Sequence, residues 1–406
     1  MHGVMKNTGA LAALATCLSL LAAPALAEVE ASLDLRLVDS DGRDSYMDGG
    51  LGKLRYDSHH EGLQLGRARF AWRGGIGGDW HANIDLSAWS LHDHNAIDIT
   101  EGWIEWRPVP TSAWRSNLKI GAFYPPISLE HRTSGWTNPY TIDSSALNTW
   151  VGEELRTIGI AYELEHLGIT EGGRFNYGMQ AALFGWNDPA GVVVAYRGFS
   201  LNDRQTPLFG RIGTFAFGGR TQRVIFSEID NRPGYHVDGY IKSDSGVELR
   251  ALHYDNRADP AAEKPSIQDN AWHTRFNSAG IRWDGEHGTA LIAQWLNGDT
   301  RVGPDPPYMW DFKTWFVLAA QNVGKHRFAA RYDDFSTQQD PEYLAFPAGR
   351  NRGNAWTLGW TWDVAAHVEV AAEWMRVDST YNKRAALGEA PRAVEHSVQM
   401  ALRLSL

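Results

Sequence analysis

Near its C-terminal end the sequence reads AHVEVAAEWMRV over residues 366–377 and VEHSVQMALRLSL over 394–406. Taken two residues at a time, each stretch separates into an apolar and a polar file. Val368, Val370, Ala372 and Trp374 oppose His367, Glu369 and Glu373. Val398, Met400, Leu402, Leu404 and Leu406 oppose Glu395, Ser397, Gln399, Arg403 and Ser405. A period of two belongs to a strand with unlike faces, not to a helix. Each run also has about the 9–11 residues that a tilted strand needs to cross a bilayer.

The same alternation recurs upstream. In 354–364, Trp356, Leu358, Trp360 and Trp362 alternate with Thr357, Gly359, Thr361 and Asp363; in 325–335, Phe328, Ala330 and Tyr332 alternate with Arg327, Arg331 and Asp333. Continued along the chain, this reading predicts sixteen strands near 29–38, 62–74, 79–89, 98–107, 116–124, 154–164, 174–186, 235–242, 246–255, 271–284, 287–297, 312–322, 325–335, 354–364, 366–377 and 394–405. A further pair within 187–234 (214–217 and 223–229) would make eighteen. Two strands, 287–297 and 312–322, alternate poorly because they are apolar on both files. That pattern suits a subunit contact or an inner wall covered by a loop.

Connection lengths choose the architecture. Those after even-numbered strands are short, such as Gly285-Glu286, Val323-Gly324 and Ala365. Those after odd-numbered strands are long, including 39–61, 125–153, 187–234, 256–270, 298–311, 336–353 and 378–393. Short turns on one rim and long loops on the other predict an all-β, antiparallel transmembrane barrel with both termini on the short-turn rim. A β-sandwich has no reason to sort its loops in this way. Lipid offers backbone groups no partners, so closure of the sheet is the physical requirement behind the pattern.

Composition agrees with export and with β structure. The chain has 406 residues, 38 Lys+Arg against 48 Asp+Glu, and a formal net charge of −10. Without a Lys/Arg-rich run, that balance argues against nucleic acid as a partner. A hydrophobic content of 43% fits neither a disordered chain nor an apolar helical membrane protein. Residues 1–27 read as a signal peptide: Lys6, an apolar run over 10–23, and Ala25-Leu26-Ala27 before Glu28. Leu14-Ala15-Thr16-Cys17 faintly resembles a lipoprotein processing site, but cutting there would leave ten leader-like residues attached. Cys17 is the only cysteine, so the mature chain, residues 28–406, needs no disulfides and has a formal charge of −11. The 18 Trp and 14 Tyr supply candidates for two aromatic girdles, among them Trp72, Trp80, Trp89, Trp106, Trp186, Trp283, Trp295 and Trp374.

Alternation places a set of cations on the inner face: Arg67, Arg69, Arg73, Lys119, Arg156, Arg174, Arg250, Arg275, Arg327, Arg331 and Arg403. The same argument places Asp85, Glu101, Glu105, Glu163, Glu248, Asp333, Glu369, Glu373 and Glu395 there. Such groups inside a low-dielectric wall set ion preference. Arg67, Arg69 and Arg73 share one face of one strand and could form a column for anions, although the nearly balanced carboxylates favour ordinary pairing across the wall.

LGRARFAWRGGIGGDWHANIDL (65–86) resembles the second hairpin of the phosphate-selective porin O/P family. DITEGWIEWRP (98–108), NLKIGAFYPPISLEH (117–131) and ELRTIGIAY (154–162) resemble the segments that follow it in that family. The resemblance spans roughly 60–165 and thins beyond. It implies a Gram-negative outer-membrane porin, in which loop 125–153 folds inward as a constriction carrying Glu130, Arg132, Asp143, Glu153 and Glu154, with His131 beside them. Two departures stand out. Gly121-Ala122-Phe123-Tyr124 lacks the family's lysine, which bears on phosphate selectivity. Leu406 ends the chain where such barrels usually end in an aromatic read by the assembly machinery.

Catalytic readings find little support. His92-Asp93-His94 has metal-like spacing but no third ligand nearby. Tyr254-Asp255-Asn256 and Tyr332-Asp333-Asp334 read as strand ends, and Gly74-Gly75-Ile76-Gly77-Gly78 as a turn without a following helix. No catalytic, metal or cofactor site is expected. The sequence therefore predicts a passive channel in the cell outer membrane for small polar or anionic solutes, a homotrimer surrounded by outer-membrane lipid and lipopolysaccharide and inserted by the barrel-assembly machinery. A different class, an exported soluble β-rich carbohydrate-binding or hydrolytic protein, would use the same tryptophans as sugar platforms.

Overall fold

The structure is a computed structural model that describes residues 27–89, 97–216, 219–266, 269–305, 307–340 and 349–406. Most of the leader, and His92-Asp93-His94, lie outside the described residues. Sixteen antiparallel strands close into one barrel. They are β1 (Glu28–Ser40), β2 (Gly62–Gly77), β3 (Trp80–Ala88), β4 (Asp98–Trp106), β5 (Trp114–Phe123), β6 (Thr157–His166), β7 (Phe175–Gly185), β8 (Gly234–Ser243), β9 (Val247–Asp255), β10 (His273–Asp284), β11 (Ala290–Val302), β12 (Tyr308–Val323), β13 (His326–Asp340), β14 (Asn351–Ala365), β15 (Val368–Tyr381) and β16 (Arg392–Ser405). Each predicted strand has one counterpart in the barrel. The extra pair inside 187–234 forms a separate two-stranded ribbon, Arg211–Ala216 with Gly219–Val224, so the barrel count is sixteen and not eighteen.

The seam joins β1 to β16, with Leu33 opposite Leu404, Leu35 opposite Leu402 and Leu37 opposite Met400. Every strand is thus paired on both sides, which excludes a two-sheet sandwich. No helix among the described residues is long and apolar enough to cross a membrane, a statement that does not bear on strands.

The two faces separate as the alternation requires. Ile120, Ile160, Leu183, Leu249, Ile281, Val317, Leu358, Val398 and Met400 point outward and are exposed. Their alternating neighbours point inward, fully buried at Ala182, Phe184, Phe316, Leu318, Thr357 and Gln399 and half-buried at Lys119, Arg250 and Arg282. Trp72, Trp80, Trp106, Trp114, Trp283 and Trp362 stand on the outer face towards the short-turn rim, where indoles suit an interface between hydrocarbon and water. Trp89 does not belong with them: it is buried, beneath the Arg67 guanidinium at 5.2 Å from the ring centroid. Trp295 lies mid-strand opposite Trp315.

β11 and β12 are apolar on both faces because a loop covers their inner side. Ile292, Leu296, Phe312, Phe316 and Leu318 are all buried against residues of the long loops.

Candidate channel interior

Three long loops turn into the barrel: L1 (41–61), L3 (124–156) and L4 (186–233). L3 leaves β5 through Pro125-Pro126, whose missing N–H groups take the chain out of the sheet. It then crosses to the β9–β11 wall. There Arg250 donates to the Pro126 carbonyl (2.9 Å), Arg282 to that of Leu129 (2.9 Å), and Gln294 to that of Ile127 (2.6 Å). Arg132 reaches Glu248 at 2.8 Å.

A turn at Ser134-Gly135 returns L3 towards β2. Arg69 donates to the Ser134 hydroxyl and Arg67 to the Gly135 carbonyl. Gly135 has a positive φ of 66°, and a Cβ there would lie 2.3 Å from Arg69 Nε, so this close approach needs glycine.

The tip of L3 is fixed to the β13–β16 wall. Glu373 accepts from the amides of Ile142 (2.7 Å) and Asp143 (3.1 Å), and Asp333 accepts from that of Ala146 (3.0 Å). Arg331 donates to Glu130, Asp333 and the carbonyls of Asp143 and Ser144. Helix α1 (Ala146–Glu154) follows, with the Ser145 hydroxyl capping it by accepting from the Asn148 amide. All nine residues of α1 are buried; Trp150 packs on Phe276 and Phe312 with ring centroids 5.3 and 5.0 Å apart.

L4 locks onto L3. The short helix α2 (Val192–Tyr196) presents the amides of Val193 and Val194 to the Glu154 carboxylate, which also accepts from Gly191 and from the Trp150 indole. Burial pushes the Glu154 carboxyl up to about 7 despite these donors. Asp203 of L4 accepts from Arg36 and from Arg55 of L1. Burial alone would raise the Asp203 pKa, but the two guanidiniums hold it below the usual carboxylate range. Glu153 pairs with Arg197, and Lys53 of L1 donates to the Arg197 carbonyl at 2.9 Å.

An aromatic ladder crosses the same region. Arg156 lies 3.5 Å over Tyr124, which stacks on Trp136 (4.2 Å), which stacks on His131 (3.9 Å). Burial, with Arg331 and Arg67 nearby, pushes His131 down to about 3, so it is neutral at physiological pH.

These contacts revise the picture of arginines facing water. Arg67 and Arg331 do point inward from the wall, but both are buried and bonded to L3. Arg69 pairs with Glu30 and Asp85, both at 2.6 Å, and Arg327 donates to the Pro139 carbonyl. Arg156 lies at the end of L3, bonded to the carbonyls of Thr100, Leu155 and Thr206. Arg275 points the other way. Thr274 and Phe276 take the inner positions of β10, which leaves Arg275 outside, paired with Asp299 at 2.9 Å. Arg174 is exposed in the short turn before β7, 3.5 Å from Asp244. Of the column on β2, only Arg73 is exposed.

Among the loop carboxylates, Glu130, Asp143, Glu153 and Glu154 are buried, each accepting hydrogen bonds. Two spaces on the inner side are described. One of about 470 Å³ lies on the short-turn side of L3, between Arg69, Trp136, Arg403, Glu369, Asp34 and Asp203. The other, about 290 Å³, is lined by Arg73, His81, Trp103, Glu105, Arg107 and Lys119. In it Lys119 lies 3.5 Å from Glu105 and 4.5 Å over Trp103.

Sequence reasoning missed Arg36, Asp34, Arg55, Asp203 and Arg384, which tie L1 and L4 to the seam. Arg36 could have been found, since the alternation of LDLRLV (33–38) puts it inside. Arg55 and Asp203 lie in loops, where no periodicity reports direction.

No family model matches this chain, and no curated protein sequence matches it. Solved structures do. The outer membrane channel DcaP of Acinetobacter baumannii is 10% identical, with 94% of this chain and 97% of that one covered at a TM-score of 0.56. For an anion-selective porin from Comamonas acidovorans the values are 11%, 94%, 99% and 0.52. For the trimer form of OmpT, an outer membrane protein of Vibrio cholerae, they are 10%, 94%, 99% and 0.52. At such identities the likeness is one of fold: the closed sixteen-stranded antiparallel barrel of this chain is similar to the barrels of these Gram-negative outer-membrane proteins.

Proposed function

We propose that this chain is an outer-membrane porin, exported through a leader of residues 1–27 and working as a homotrimer. It passes small polar solutes by diffusion through a path narrowed by L3 and L4. The observation that carries the reading is a closed barrel with a greasy outer face and a charged inner wall crossed by an anchored loop. The anion-selective porin and the trimeric barrel among its structural likenesses support anion passage and a threefold assembly. So does the resemblance of 65–162 to the phosphate-selective porin O/P family.

Anion preference on this reading comes from the short-turn mouth, where Arg73, Arg107 and Lys119 gather around Glu105, and not from Arg67 and Arg69, which are held by the wall carboxylates Asp85 and Glu30 and by hydrogen bonds to L3. Planar-bilayer recordings test it. Wild-type protein from the outer-membrane fraction should give discrete channels whose reversal potential in a salt gradient favours anions, and Arg73→Glu with Arg107→Glu should move that potential towards cations. Conductance with and without phosphate and a sugar panel then identifies the solute class. Absence of channels, or recovery of the folded chain in the soluble periplasmic fraction, would refute the reading.

A further inference from the structure

The outer surface of β12–β16 changes character within a few rows of the ladder. Ala319, Ala330, Leu358, Trp374 and Val398 are successive register partners and form an apolar row. One row nearer the long-loop rim come Val317, Tyr332 and Trp356, where the tyrosine and tryptophan rings meet at 4.9 Å. Two rows further, Lys313, Ser336, Arg352, Thr380 and Arg392 stand in line. All five point outward, since the neighbours Phe312, Thr337, Asn351, Ser379 and Ala393 are buried inside.

Together with Arg350 this row borders an outward-facing groove of about 490 Å³. Four cations and two carboxylates line it, net +2, on a chain whose total charge is strongly negative. Asp378 is already engaged, by Arg392 at 2.8 Å and by Arg376 at 3.5 Å. Among the described residues, Lys313, Arg350 and Arg352 form no ion pair within 4.0 Å.

We propose that this groove binds the phosphorylated sugar headgroup of an outer-leaflet glycolipid, the chemistry of lipid A. Two features select that occupant. The guanidinium groups of Arg350 and Arg352 and the Lys313 ammonium beside Asp334, with neighbouring Ser336, Thr380 and Asn354, offer the donors that a phosphate monoester takes. The groove opens directly above an aromatic belt and an apolar strip, so an anion seated there can lay acyl chains along Val317, Leu358 and Trp374. A free anion would gain nothing from that strip. A second copy of the chain would have to bring carboxylates to the same height.

The assignment rests on the membrane-spanning reading above, and the test separates the two. Full-length protein in detergent is titrated with bis-phosphorylated lipid A, with dephosphorylated lipid A and with inorganic phosphate, for the wild type and for Lys313→Gln with Arg352→Gln. Both positions are exposed, and the single-channel conductance of the variant should equal that of the wild type. Bis-phosphorylated lipid A should bind the variant about tenfold or more weakly, and removal of its phosphates should abolish the difference. Equal affinity of both proteins would overturn the proposal, as would inorganic phosphate binding as tightly as the lipid. Loss of the oligomer in the variant would also overturn it, by making this face a contact between copies. A wild type without channels would fail the porin reading while leaving the lipid titration interpretable.

Discussion

Arg331 shows what an inward arginine does in this barrel. Its guanidinium is fully buried between β13 and L3, paired with Glu130 at 3.0 Å and Asp333 at 2.8 Å. Removing one partner of such a cluster strands the others, and Arg331→Ala should cost about 3–5 kcal/mol of stability. Thermal or denaturant unfolding in detergent measures that cost, and a loss below about 1 kcal/mol would mean that L3 does not depend on this anchor. Glu154 makes a pH prediction. Its folded pKa of about 7 lies above its ordinary 4.5, so the protonated form favours the folded loops. That contribution is complete below about 4.5, falls as pH rises towards 7, and is constant above. Between pH 5 and pH 8 the wild-type melting temperature should therefore fall more than that of Glu154→Gln. Equal pH dependence of the two would remove Glu154 from the latch. Alternation assigned Arg331 to the inner face correctly, yet it could not show that the face is dry, because the loop covering it is aperiodic.

At the scale of elements, the strands outrun the sequence reading mainly at the long-loop rim. β13 continues to Asp340 and β15 to Tyr381, beyond the predicted ends at 335 and 377. Past the belt the outward positions turn polar, as at Asp334, Arg376 and Asp378, so the apolar file that marks a strand stops while the hydrogen-bond ladder does not. The doubly apolar β11 and β12 were legible as either a subunit contact or a covered wall, and what decides between them, the covering Trp150, Leu147 and Phe199, lay in loops without a pattern. Arg275 was misplaced because a parity argument fails wherever the outer face carries a charge pair, here with Asp299. L4 offers its own test at Gly191, which has a φ of +106°; a Cβ there would meet the Thr300 and Thr274 hydroxyls at 2.1 and 2.3 Å. Gly191→Ala should shift α2 off the wall, and limited proteolysis should then cut within 187–234 several times faster. An unchanged digestion pattern would show that the loop tolerates the displacement.

For the whole molecule, closure matters more than any single contact. The barrel count, the sorting of short turns from long loops and both termini on one rim followed from period-two patterning, because lipid imposes that pattern on every strand. The arrangement of L1, L3 and L4 inside followed from nothing periodic. Deleting β16 would leave two unpaired edges, and the chain lacking 392–406 should show none of the compact, detergent-resistant form that unheated wild-type samples give on gels. Recovery of that form would mean that the barrel can close with fifteen strands.

The β1–β16 seam also sets a schedule for biogenesis. The strand made first, β1, must wait for the strand made last, β16, so no shorter stretch of the polypeptide can close the barrel during synthesis. Any premature stop yields a product with raw ends, open to proteases and to aggregation.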